Sequence, residues 1–225
     1  MTAAATWAII PVKALGLAKQ RLAPVLPPPA RRELVLAMLE TVLAAVGAVG
    51  GVARTLVVTP DQSVAALAAG KGVGVVRERQ ARGLNAAVRL GLASASAGGA
   101  ARALVLPADV PLVTAAELTT LLGNGADAGA RATLVPARDE EGTNAMLLAP
   151  PTALAPMFGP GSYRRHLAQA QARRLDVEVL KLPGLASDID HPGDLARLLV
   201  PAPQLRHFQF LAQHVMKAAA GGVAG

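Results

Sequence analysis

The chain divides into short apolar runs and longer segments whose apolar residues recur three or four positions apart. Short runs bounded by turn residues predict buried strands, and the 3.6-residue rhythm predicts helices. Strands are expected at 7–12 (WAIIPV), 54–59 (RTLVVT), 73–76, 103–107 (ALVLP), 132–136, 145–148 and 177–180. Helices are expected at 29–46, where Leu34, Met38, Val42 and Ala45 share a face, and at 63–69, 85–97, 115–122, 163–173 and 192–199. Strands alternating with helices imply an α/β fold, with a mostly parallel sheet and helices on both faces. Residues 1–200 read as one domain. Pro201 and Pro203 then mark a linker, and Leu205, Phe208, Leu211 and Val215 return to helical spacing. Residues 201–225 are thus expected as a C-terminal helical tail, partly disordered, packed on its own domain or serving as a homodimer contact.

Composition narrows the chemistry. The 225 residues suit one α/β domain with a sizeable core. Apolar residues make up 52% but aromatic ones 2%, so that core must be built from Leu, Val and Ala. The absence of cysteine excludes disulfides, thiolate metal sites and a thiol nucleophile. No secretory leader is legible at the N-terminus, and the longest apolar stretch, 41–53, is too short to span a bilayer. The expectation is a soluble, cytoplasmic protein. The formal charge of +7 is scattered, and stacking aromatics are nearly absent. That favours anionic small substrates over nucleic acid as partners.

Ligands in open α/β sheets bind beyond the carboxyl ends of the strands, and the polar signals of this sequence gather there. The loop PVKALGLAKQRL offers Lys13, Lys19 and Arg21 around Gly16, a set able to hold phosphates but without the GxxxxGKS/T pattern. In ERQARGLNAAV, Gly83 would allow close backbone approach. Asn85 there is either a helix cap or a reader of a base or sugar edge. In LVLPADVPLVT, Asp109 follows a central strand between two prolines, well placed for a hard divalent cation. In SDIDHPGDL, Asp188 and Asp190 are two apart and share a face; with Asp109 they could complete a magnesium site, while Asp194 caps or enters the last helix. Ser162 is expected at the N-cap of the helix after GPGS, with Arg164 and Arg165 in a first turn where an anionic ligand would offset the helix dipole. No Ser–His–acid triad and no histidine metal spacing is present; Glu140 and Glu141 read as a solvated turn.

Taken together, IIPVKALGLAKQRL, LVVTPD, GLNAAV, LVLPADVPL, GTNAMLL, FGPGSYRRHL and SDIDHPGDL resemble the CofC/FbiD family of guanylyltransferases of coenzyme F-420 biosynthesis, in family order across about residues 7–199. The resemblance implies a single-domain nucleotidyltransferase-like (Rossmann-like) fold. It implies GTP as donor and a small phosphorylated carboxylic acid as acceptor: phosphoenolpyruvate first, with 2-phospho-L-lactate or 3-phospho-D-glycerate as alternatives. By the same resemblance Asp109, Asp188 and Asp190 match the acids that hold Mg2+, and Thr143, Gly159 and Ser162 match the residues that hold the acceptor. Lys13, Lys19 and Arg21 would face the triphosphate, with Asp109, Lys19 and Arg21 as catalytic residues, and Gly83, Leu84 and Asn85 would face the guanosine. A phosphate dianion needs no general base to attack, so the implied reaction is in-line displacement of pyrophosphate, driven by positioning and charge neutralisation. A molybdopterin or sugar-phosphate acceptor, or a non-catalytic binding role, are the competing readings.

Overall fold

The computed structural model describes residues 5–123 and 129–199, together with Phe208 and Leu211. Seven strands form one sheet: β1 (Thr6–Pro11), β2 (Val52–Thr59), β3 (Gly74–Arg77), β4 (Arg102–Val105), β5 (Arg131–Pro136), β6 (Thr143–Ala149) and β7 (Asp176–Val179). Their order across the sheet is β3-β2-β1-β4-β6-β5-β7. The helices are α1 (Pro28–Gly47), α2 (Gln62–Gly70), α3 (Leu84–Ala97), α4 (Ala115–Leu122), α5 (Ser162–Ala172) and α6 (Pro192–Leu199). Each of the thirteen segments expected from apolar rhythm is present, with ends shifted by at most two residues.

The two-residue period of the strands divides the core into two layers. Ala8 and Ile10 of β1, Val57 of β2, Leu104 of β4 and Val135 of β5 point to one layer, which α1, α2, α4 and α6 cover. Ile9, Val58, Ala103, Val105 and Leu134 point to the other, covered by α3 and α5. Both faces of the central strands are therefore apolar, which is why they read as unbroken hydrophobic runs. A close approach is built into the second layer: a Cβ on Gly91 of α3 would stand 2.3 Å from Ile9 Cγ2, so only glycine lets α3 lie this near β1.

The sheet is mostly parallel, and its one reversed strand matters most for the site. β6 runs antiparallel to both β4 and β5. Its pairing of Val105 with Met146 puts its first residues, Thr143 and Asn144, just beyond the carboxyl end of β4. Residues from strand beginnings and strand ends thus meet at one edge of the sheet. In the tail, Phe208 and Leu211 are buried within the first layer of this same domain; the expectations for the remaining tail positions, including Leu205, Val215 and the homodimer contact, lie outside the described residues.

Candidate active site

A cleft of about 700 Å³ opens at this edge, lined by residues of the first loop, the ends of β1 and β4, the start of β6, the loop before α5 and the 188–190 segment. It collects Lys13, Lys19, Arg21, Leu84, Asp109, Thr143, Gly159, Ser162, Asp188 and Asp190 from positions as far apart as 13 and 190.

One wall is built of charges. The chain leaves β1 in two short 3-10 turns, Leu15–Leu17 and Gln20–Leu22, whose Leu15 and Leu22 are buried. Asp61 anchors the first: one carboxylate oxygen accepts from Leu15 N at 3.0 Å while the other caps α2. Between the turns Lys19 takes a left-handed conformation (φ 52°), uncommon for a residue with a Cβ. Its ammonium comes within 2.8 Å of Asp109 Oδ2 and 2.7 Å of Asp190 Oδ1. Ile189 N donates to Asp109 O at 3.0 Å, stitching the SDID segment to the residue that follows β4. Asp194 accepts from the backbone of Asp190 and His191, so it caps α6 from inside its first turn and bends the segment. The exposed Arg21 guanidinium lies 3.6 Å from Asp190.

The charges of this wall are unevenly balanced. Burial alone would raise the Asp190 carboxyl, but Lys19, and Arg21 less strongly, hold it below the ordinary range. Asp188 is pushed up, by burial first and by the Asp109 charge second, against a hydrogen bond from Asn144 Nδ2 at 3.1 Å. Burial would lower Lys19, yet its two carboxylate partners raise it. Two carboxylates, Asp109 and Asp190, thus share one ammonium, and Asp188 lies close enough to feel their charge. Among the described residues, no three acidic or histidine side chains are spaced as a metal site as they stand; Lys19 bridges Asp109 and Asp190.

A second part of the lining, around Thr143 and Ser162, is neutral and buried. Ser162 Oγ accepts from Thr143 N at 2.9 Å, joining α5 to the start of β6. Thr143 Oγ1 lies 2.9 Å from His166 Nδ1, and Met157 N donates to His166 Nε2 at 2.9 Å. Asn85 brackets the loop before α5: its Oδ1 accepts from Phe158 N at 2.7 Å and its Nδ2 donates to Phe158 O at 3.1 Å.

Several sequence expectations are corrected here. The N-cap of α3 is Gly83 and that of α5 is Gly161, both with positive φ, so Asn85 and Ser162 are not caps but lie inside their helices. Asn85 holds backbone rather than facing open cleft. Gly83 does not line the cleft, and a Cβ there would meet nothing; its φ of 88°, not close approach, calls for glycine. Arg165 donates to the carbonyls of Met157 and Pro160, bracing the loop, and Arg164 pairs with Glu141; neither stands ready for an anion. Of the three cations assigned to phosphate, Lys13 and Arg21 are exposed on the cleft, while Lys19 is engaged by carboxylates. Sequence reasoning missed His166 and Asn144. The signal for His166 was present: it lies one helical turn from Ser162 on the buried face of α5, with Ala170 next.

With this geometry established, the comparisons with known proteins are direct. The family of CofC-like guanylyl transferases matches residues 6–217. The chain belongs to this family. It is 42% identical, over 88% of its length and 94% of the relative's, to a phosphoenolpyruvate guanylyltransferase of Sphaerobacter thermophilus. A protein of the same name from Rubrobacter xylanophilus is 44% identical over 85% of this chain and 92% of its own. A nucleotidyl transferase from Methanothermobacter shares the fold, with a TM-score of 0.62 at 20% identity over 86% of this chain and 95% of that one. This family member is therefore an enzyme of the nucleotidyltransferase class, and among its described residues no helix is long and apolar enough to cross a membrane.

Proposed function

We propose that this enzyme transfers GMP from GTP to phosphoenolpyruvate, releasing pyrophosphate, with Mg2+ as its metal. The observation that carries the reading is the convergence of Asp109, Asp188 and Asp190 in one cleft that Thr143 and Ser162 also line. Relatives that bear the name of this reaction align with nearly the whole chain.

The donor set fits a magnesium ion. Mg2+ favours carboxylate oxygens and keeps several waters, and this wall offers three carboxylates, of which Lys19 pairs with Asp109 and Asp190. Asp109 and Asp190 would hold the ion, with Asp188 beside them, and the ion would neutralise the charge of the triphosphate. An ion there competes with Lys19 for the same oxygens. The chain's own residues do the rest. Lys13 and Arg21, exposed on the cleft, meet the phosphates. The Thr143–Ser162 wall holds the acceptor acid so that its phosphate oxygen faces the α-phosphorus of GTP. The new O–P bond forms as the bond to pyrophosphate breaks. No group is required to take a proton, since the attacking oxygen is already anionic.

The test is pyrophosphate release from GTP and Mg2+ with phosphoenolpyruvate, 2-phospho-L-lactate and 3-phospho-D-glycerate in parallel. Turnover is expected with phosphoenolpyruvate above the other two. Silence with all three would overturn the reading in favour of a molybdopterin or sugar-phosphate acceptor, or of a binding role.

A further inference from the structure

The neutral wall is held by one side chain with no part in the transfer as derived above. His166 is fully buried on α5, and its ring lies between two elements of the cleft. The Met157 N–H donates to Nε2. A backbone amide can only donate, so Nε2 must accept, and a neutral ring then carries its proton on Nδ1. The ring is neutral at pH 7, because burial, and the charge of Arg165 after it, lower it to about 4. Nδ1–H therefore donates to Thr143 Oγ1 across 2.9 Å. This decides where the hydroxyl's own proton goes. It cannot point back along the bond it accepts, and this hydroxyl makes no other hydrogen bond among the described residues. Thr143 lines the cleft, so the remaining proton is available there.

We propose that His166 is a positioning residue: as the Nδ1–H tautomer it fixes the Thr143 hydroxyl as a donor toward an anionic oxygen of the acceptor acid. The same ring grips Met157, which leads into the Phe158–Pro160 edge of the cleft, so one imidazole sets the donor and the facing loop in register. A threonine without this partner is free to turn its proton inward and present a lone pair, which would repel a carboxylate or phosphate oxygen. The inference rests on the acceptor pocket proposed above.

Three variants test it. His166→Phe fills the volume without a donor; His166→Asn keeps an N–H near the position of Nδ1; Thr143→Val removes the hydroxyl. His166→Phe is expected to raise KM for phosphoenolpyruvate about tenfold, the scale of a hydrogen bond to a charged group, with KM for GTP unchanged. His166→Asn should recover most of that loss, and the double variant should be no worse than Thr143→Val alone. Equal rises in both KM values, or His166→Asn as poor as His166→Phe with wild-type melting, would overturn the proposal. Ring nitrogen NMR of the wild-type protein decides independently of turnover or of variants that fail to fold. A protonated Nδ1 and bare Nε2 at pH 7 are expected, and the Nε2–H tautomer would overturn it. Failure with all acceptor acids beside the expected tautomer would count against the pocket's assigned substrate, not against the His166–Thr143 contact.

Discussion

The carboxylate wall of the cleft and the Thr143 wall face the same space but are ordered by different physics. The first gathers charged side chains from three distant segments, leaves Asp109 and Asp190 about a third exposed, and balances these two on Lys19, with Arg21 near Asp190 and Asp188 beside them. The second is a chain of neutral hydrogen bonds, Thr143 to Ser162 and Thr143 to His166 to Met157, within residues 143–166 and almost wholly buried. Buried neutral hydrogen bonds hold the groups they join in one arrangement. Clustered charges do the reverse, since their balance depends on what else binds. On the proposed assignment this is a division of labour: the acceptor side would be set before substrate arrives, and the metal and phosphate side would be completed by ligand.

The largest effect should come from the charged wall. Asp109→Asn keeps the shape and removes the charge. It is expected to lower pyrophosphate release at least about a hundredfold, the scale seen when one preorganised charge-stabilising group is lost. Thermal stability should fall only modestly, by about 1 kcal/mol, because the Lys19 ammonium loses one of its two carboxylate partners but keeps Asp190. A loss of activity matched by a loss of folding would erase the contrast between the walls. Next in size, Lys19→Met should remove the ammonium that compensates Asp109 and Asp190 and cost about 1–2 kcal/mol, well below a fully buried pair because the carboxylates reach water. Mg2+ should raise the melting temperature of this variant more than that of the wild type. Equal Mg2+ responses would show that ion and ammonium do not share one place.

How much of this was legible in the sequence follows the same divide. The fold was readable because the central strands are apolar on both faces and the helices carry apolar residues at regular spacing, so composition alone reports their type. That Asp109, Asp188 and Asp190 would share one cleft was readable because ligands in such sheets gather beyond the carboxyl ends of the strands, and acids stood there. Partners across the fold were not readable. Nothing local to Lys19 says that its ammonium will meet residues 90 and 171 positions away, and nothing local to Asn85 says that its amide will bracket Phe158 rather than cap a helix. Those pairings depend on the order and direction of the strands across the sheet, a topological fact that hydrophobic rhythm does not encode.

The neutral wall should show itself in the pH dependence of stability rather than of charge compensation. His166 is lowered from 6.5 to about 4 by burial and by Arg165. The unfolded chain therefore binds a proton near pH 6.5 that the folded chain refuses until about pH 4. The contribution of the neutral ring is complete above the unfolded value and is lost as pH falls through this window. Between pH 7 and pH 5 the wild type should lose about 2 kcal/mol through this one group, at about 1.4 kcal/mol per unit below 6.5. Urea unfolding at the two pH values, for wild type and His166→Phe, isolates it: the variant should lose less by that amount. Parallel losses would mean that the ring is protonated in the fold.

The smallest effect separates the wall from the loop that leans on it. Asn85→Ala removes both hydrogen bonds to the Phe158 backbone without touching Thr143, Ser162 or His166. Two partly buried backbone groups then lose their partners. One of them, the Phe158 carbonyl, can turn to water more readily than the N–H, so the expected cost is about 1–2 kcal/mol rather than the sum of two buried losses. If the Thr143 donor is preset by His166 alone, KM for the acceptor should rise only about two- to threefold, through looser placement of Gly159 and Pro160 at the cleft edge. A tenfold rise, as large as that expected for His166→Phe, would place the order of this wall in the loop and not in the imidazole. The distinction between a preset acceptor side and a ligand-completed metal side would then have to be drawn one shell further out, at α3.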